Sequence, residues 1–289
     1  MNTSIQTSSK INWHYVQQVV KWIVYALLFI NWVFYIFEDT NRAIHTLTAE
    51  SDFFKYTSEF ATSIDVAAWL ILLLMLELET YILEDKDWQG WVTKVVRGVR
   101  LVCVAMIAHT IIANANSVKD QLPSVPLENV SDLCQIAGTD LSFVYNLEYT
   151  DITSETCAQL PAAERYYNVG VDPVVSTIEG LELERELAYA DLIEVVVWVL
   201  IILAMELVVR MQDRNITTGR FLTFANRSKL ILYLTLVGVA LYWASLSHWL
   251  YVWDEFLWIA GFGAIELNVN EWRDEIDQDR AIALQEPKQ

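Results

Sequence analysis

The segment Trp198–Val209 reads WVLIILAMELVV, and apolar stretches of this kind dominate the chain. A helix needs about 20 predominantly apolar residues to cross a bilayer. Inside lipid every backbone N–H and C=O must find an internal partner, so such stretches fold as helices. Six qualify, at about 20–37, 64–83, 100–116, 190–210, 229–248 and 252–269, and all five prolines lie outside them. The chain is 54% hydrophobic yet carries a net charge of −18. That combination fits a membrane protein with polar loops better than a soluble globule. The expected fold is an all-α integral membrane protein with six transmembrane helices. It divides into residues 1–116 with helices 1–3, an acidic loop at 117–189, residues 190–270 with helices 4–6, and a tail at 271–289.

Orientation follows from Lys and Arg. With the N-terminus in the cytoplasm, the cytoplasmic segments hold 14 basic residues and the opposite side holds five. Both termini are therefore expected inside, in a bacterial inner (plasma) membrane. The first apolar segment continues for a full span with no small-residue cleavage site after it, so it reads as retained. Cys134 and Cys157 share the outer loop, where an oxidising compartment favours a disulfide. That loop holds thirteen acids against three bases. It reads as a small extracytoplasmic cap, either an electronegative vestibule that concentrates cations or simply a solvated face.

The spans share an internal pattern. Asp65, Trp69 and Glu77-Leu78 have the same spacing as Glu194, Trp198 and Glu206-Leu207, and as Asp254, Trp258 and Glu266-Leu267. Thirteen residues after Glu77 and Glu206 come Gly90 and Gly219, and ten residues later Arg100 and Lys229. Lys21 begins the first span in the same way. The chain thus reads as three degenerate two-helix repeats in a pseudo-threefold bundle.

Ionisable residues inside spans are costly and mark function by default. The inner carboxylates Glu77, Glu206 and Glu266 lie at depths similar to Arg100, Lys229 and Lys21. The expected pairs are Glu77–Arg100, Glu206–Lys229 and Glu266–Lys21. They form either simple clamps between neighbouring helices or a polar layer on an ion path. The outer acids Asp65, Glu194 and Asp254 stand about 18 Å of helix rise away and are offset by about 120°. They read first as acids at helix N-termini, where negative charge is favourable. Trp69 and Trp198 read as part of an aromatic belt at the interface, together with Trp13, Trp22, Trp88, Trp91, Trp249, Trp253 and Trp272. His109 sits within a span and is a candidate proton relay.

No motif points to an enzyme, a metal or another cofactor, and the acidic balance disfavours nucleic acid. Three two-span repeats with inner charge pairs resemble the mitochondrial carriers in architecture. The proline followed by an acid and a base on that family's odd spans is missing here, so the chain is not placed in it. The leading expectation is a channel or transporter for small cations, including protons. It would work in the lipid bilayer, as one copy or as a homo-oligomer. The alternative is a non-transporting scaffold or sensor subunit whose acidic loop binds a partner.

Overall fold

The computed structural model describes residues 13–78, 90–214 and 216–285. These residues form seven α-helices, and the chain is 72% helical. In chain order the helices are α1 (Trp13–Thr46), α2 (Phe53–Glu59), α3 (Ala61–Glu77), α4 (Trp91–Gln121), α5 (Ile178–Asp213), α6 (Arg220–Ser245) and α7 (Trp249–Gln285). Among the described residues, α1, α4, α5 and α6 each contain a stretch long and apolar enough to cross a membrane. A fifth such stretch is α2 with α3, bent by 71° at their junction. The expected sixth span falls in α7, which is not among them by length and composition. Its first turns carry Asp254 and Glu255, and the part beyond Glu266 is rich in charge.

Several helices are longer than the apolar segments they contain. α5 has 36 residues, about 54 Å of rise against about 30 Å of hydrocarbon. Its first turns therefore belong to the polar cap. The left-handed glycines Gly90 (φ 79°) and Gly219 (φ 135°) stand immediately before α4 and α6. A side chain is strained in that backbone region, which explains why the sequence keeps glycine at both helix starts.

The bundle buries Leu28, Ile201 and Leu236 at its centre. Its outward faces are apolar, with Phe29 and Phe34 on α1, Leu101 and Val104 on α4, and Leu230 and Leu234 on α6 all exposed. Such a surface needs a lipid solvent. Trp22, Trp91, Trp249 and Trp253 are exposed as an interfacial belt requires. Trp88 and the side chains of Trp13 and Trp272 lie outside the described residues.

The cap corrects the all-α expectation. Its non-helical part, 122–177, folds into a five-stranded mixed sheet. The strands are β1 (Val125–Pro126), β2 (Ser142–Tyr145), β3 (Glu148–Asp151), β4 (Tyr167–Asn168) and β5 (Val174–Ser176), in the order β1-β4-β5-β2-β3. β2 and β5 run parallel and the other pairs antiparallel. Strands this short carry little pattern, and the sheet hides its own core of Leu133, Phe143, Ile152, Tyr166 and Val175. The expected Cys134–Cys157 disulfide is formed and links the two short 3-10 turns of the cap.

The cap is fastened to the bundle by directional bonds. Asn146 and Leu147 (φ 57° and 60°) make the tight two-residue turn of the β2–β3 hairpin. Asn146 Nδ2 donates to the Leu246 carbonyl at 3.1 Å, and its Oδ1 lies 3.0 Å from His248 Nε2. The Leu147 N–H donates to Glu184 of α5 at 3.1 Å. Arg185 donates to the Gln121 and Leu122 carbonyls and so satisfies the C-terminal end of α4. His45, near the end of α1, meets Ser142 at 2.9 Å and stacks on Tyr149.

Candidate functional site: two acid-lined cavities under the cap

The site begins with the outer acids. Asp65 of α3, Glu194 of α5 and Asp254 of α7 line one cavity of about 80 Å³ at the cap-side end of the bundle. Asp65 and Asp254 sit in the second turns of α3 and α7, near the helix starts that the sequence reading expected, but all three acids face a cavity inside the bundle. α5 has risen about four turns before Glu194, and Asp254 is 7% exposed.

Their partners are neutral donors. Trp69 Nε1 donates to Asp65 at 2.9 Å, Asn31 Nδ2 to Asp254 at 2.8 Å, and Trp243 Nε1 to Glu194 at 3.1 Å. Glu255, 2% exposed, accepts from Trp198 Nε1 at 3.2 Å. One oxygen of Asp65 and one of Glu255 are buried without a partner. Among the described residues, no Lys or Arg lines this cavity. Buried carboxylates gathered without a base require a mobile cation or a proton as counter-charge. Among the described residues, no three carboxylate, imidazole or thiol groups stand close enough together to hold one metal ion.

The floor is aromatic. The Phe262 ring packs 5.1 Å from Trp198, 6.2 Å from Trp258 and 6.4 Å from Trp69, centroid to centroid. The three tryptophans of the repeated pattern therefore converge on one phenylalanine. Trp198 and Trp258 are buried. The belt reading of Trp69 and Trp198 is overturned, because each indole faces helices rather than lipid headgroups. Past the floor, Tyr233 lies 6.5 Å from Trp198 and donates to Glu266 at 3.1 Å.

Above the inner cavity lies a larger one of about 320 Å³, walled by the cap and by α1, α2, α3, α4 and α5. Six acids line it: Asp52, Glu59, Asp120, Asp172, Glu184 and Asp191. Its two bases are already engaged. Arg42 binds Asp39 at 2.9 Å and Glu59 at 3.3 Å, while Lys55 binds Glu59 and Asp172 at 2.6 Å each. This chain of ion pairs ties α1 and α2 to the β4–β5 turn. Asp39 also accepts the Ser63 N–H at 2.9 Å, fixing the first turn of α3. Burial pushes the Asp172 carboxyl above its ordinary value, opposed by the adjacent Lys55 ammonium. Thr62, Asn114 and Asp191 line both cavities, so the two abut across these side chains.

The inner charges pair differently from the sequence expectation. Lys229 Nζ donates to Glu266 at 2.8 Å, and this pair joins α6 to α7. Glu206 binds Arg210 one turn along its own helix, at 2.6 Å, with side chains 54% and 69% exposed. The expected Glu206–Lys229 and Glu266–Lys21 pairs are thus replaced, because Glu206 faces outward and α7, not α5, presents its glutamate to Lys229. Lys21 has its ammonium 5.8 Å from the Trp22 ring. The Glu77 side chain lies outside the described residues, and with it the expected pair to Arg100. Glu206 is therefore exposed beside Arg210, whereas Glu266 is partly buried between Lys229 and Tyr233. His109 lines neither cavity and packs edge-on against Phe54 at 5.1 Å.

Sequence reasoning passed over Asp191, Glu255, Asp39 and Glu59. One signal was available for Asp191: it precedes Glu194 by three residues, so both project from one face of α5. Comparison with protein-family models, with curated proteins and with solved structures finds no match.

Proposed function

We propose that the protein is a membrane channel or transporter for small cations, protons included. Its pathway enters through the cap cavity and passes the carboxylates Asp65, Glu194 and Asp254. The observation that carries this reading is the inner cavity itself, which has acids from three helices, no base among the described residues, and a direct junction with an acidic vestibule. Polar groups that face a bundle interior mark ion routes, whereas those at the lipid face do not. In this reading α7 serves as the sixth span, and the three repeats supply one acid and one tryptophan each. Phe262 and the three indoles close the pathway on the side away from the cap, so the conformation is the closed one. The basic-residue bias supports a cap outside and both termini in the cytoplasm.

Flux of Na⁺, K⁺ and H⁺ into proteoliposomes tests the reading. Glu194→Gln retains an acceptor for the Trp243 indole while removing the charge. It is expected to cut cation flux by about tenfold or more, as for the loss of one charge-assisted contact. Glu206→Gln, on the same helix but facing outward, is expected to leave flux unchanged. Absence of flux for all three ions under every gradient and pH would overturn the reading.

A further inference from the structure

The junction between the two cavities differs chemically from either one. Thr62 comes from α3, Asn114 from α4 and Asp191 from α5, so three neighbouring helices each offer one oxygen-bearing side chain. Among the described residues, none of the three side chains makes a hydrogen bond or ion pair. Ser58, Asn116 and Asp120 of the larger cavity are likewise unbonded among the described residues, but only Thr62, Asn114 and Asp191 are shared by both cavities. Asp39, Glu59, Glu184, Glu194 and Asp254 are all held by donors or cations. Polar side chains in a protein interior are ordinarily committed to partners. All three are half-buried where the two cavities meet, and the Arg42 charge acts on Asp191 without an ion-pair contact, so their oxygens stay accessible to a small ligand.

The donor set defines what that is. Hydroxyl, amide and carboxylate oxygens are hard ligands that suit alkali and alkaline-earth cations rather than soft metals. A single carboxylate among neutral oxygens balances one positive charge. The next groups inward lie in register. Asp65 follows Thr62 by three residues on α3, and Glu194 follows Asp191 by three on α5, a rise of about 4.5 Å each. Asp65 keeps one buried oxygen without a partner at that next level.

We propose that Thr62, Asn114 and Asp191 form the selectivity site of the pathway, a single-carboxylate oxygen site for a monovalent alkali cation. The site rests on the transport reading, because it lies where the vestibule hands the ion to the acid-lined cavity.

Two measurements on the full chain separate the site from that reading. The first is thermal stabilisation of purified protein by NaCl, KCl, RbCl, MgCl2 or CaCl2, with choline chloride as ionic-strength control. The second is competitive flux of the same cations in proteoliposomes. Wild type is expected to be stabilised by one alkali cation over the others and over both divalents. Asp191→Asn is expected to weaken that cation's half-effect concentration by about tenfold or more. Asp191→Glu is expected to retain binding and change the order among Na⁺, K⁺ and Rb⁺ in both measurements. Thr62→Val, which keeps the shape and removes the hydroxyl, gives a smaller shift in the same direction and serves if Asp191→Asn does not fold. Stabilisation that depends on Asp191 without flux supports the site and overturns transport. Flux whose selectivity ignores both Asp191 and Thr62 supports transport and overturns the site. Equal or stronger stabilisation by Mg²⁺ or Ca²⁺ also overturns it.

Discussion

The cap-side and far-side halves of the bundle use the same residue types to opposite ends. On the far side each described glutamate has a cation within reach, Glu266 on Lys229 and Glu206 on Arg210. Those charges are cancelled locally. On the cap side Asp65, Glu194, Asp254 and Glu255 are held by indole and amide N–H groups, which orient a carboxylate without neutralising it. The difference shows that the counter-charge, more than the carboxylate, separates a structural acid from one that awaits an ion. Depth in the membrane does not separate them, because acids of both kinds sit within helices.

This contrast can be broken in order of size. Lys229→Met leaves Glu266 uncompensated and is expected to cost about 3 kcal/mol of stability, the low end for breaking a buried pair. Denaturant unfolding in detergent measures it. Adding Glu266→Gln should recover most of that loss, because both charges are then gone. Asp65→Asn is expected to do the reverse on the cap side, leaving the unfolding midpoint level or higher while lowering flux. A large destabilisation by Asp65→Asn would erase the distinction between the two halves.

Replacing Cys134 and Cys157 with serine removes a loop constraint worth about 2–4 kcal/mol. The loss is expected to fall on the cap, read as faster hydrogen exchange in β2 and β5 with the bundle unchanged. Glu206→Gln removes only an exposed pair one turn apart and should shift stability by about 0.5 kcal/mol or less.

The smallest effect concerns His248, where the α6–α7 turn meets the cap. Burial holds its imidazole below the ordinary value of 6.5, against the opposing pull of Glu148. The folded state therefore binds the proton more weakly than the unfolded chain. Stability contributed by neutral His248 is complete above about pH 6.5 and declines as pH falls below it. His248→Gln, which keeps an N–H for Asn146, should flatten that part of the pH–stability profile.

Much of the molecule was legible before any coordinates. Runs of apolar residues about 20 long can satisfy their backbone in lipid only as helices, so four of the expected spans, or five with the bent α2–α3 pair, could be read directly. Two cysteines in one outer loop could be read as a disulfide. The spacing of Asp65 with Trp69, Glu194 with Trp198 and Asp254 with Trp258 singled out six residues that line one cavity.

What the sequence could not settle was the rotation of each helix about its axis. A turn of 100° per residue separates a lipid-facing carboxylate from a buried one with no change in composition. That rotation sent Glu206 outward to Arg210, gave Lys229 to Glu266, and turned Trp69 and Trp198 from a belt into the floor beneath the acids. Five cap strands of two to four residues were likewise too short to show a period. Asp191 illustrates the division. Its identity and its place three residues before Glu194 belong to the sequence, but its position beside Thr62 and Asn114, where the two cavities meet, exists only once α3, α4 and α5 are packed together.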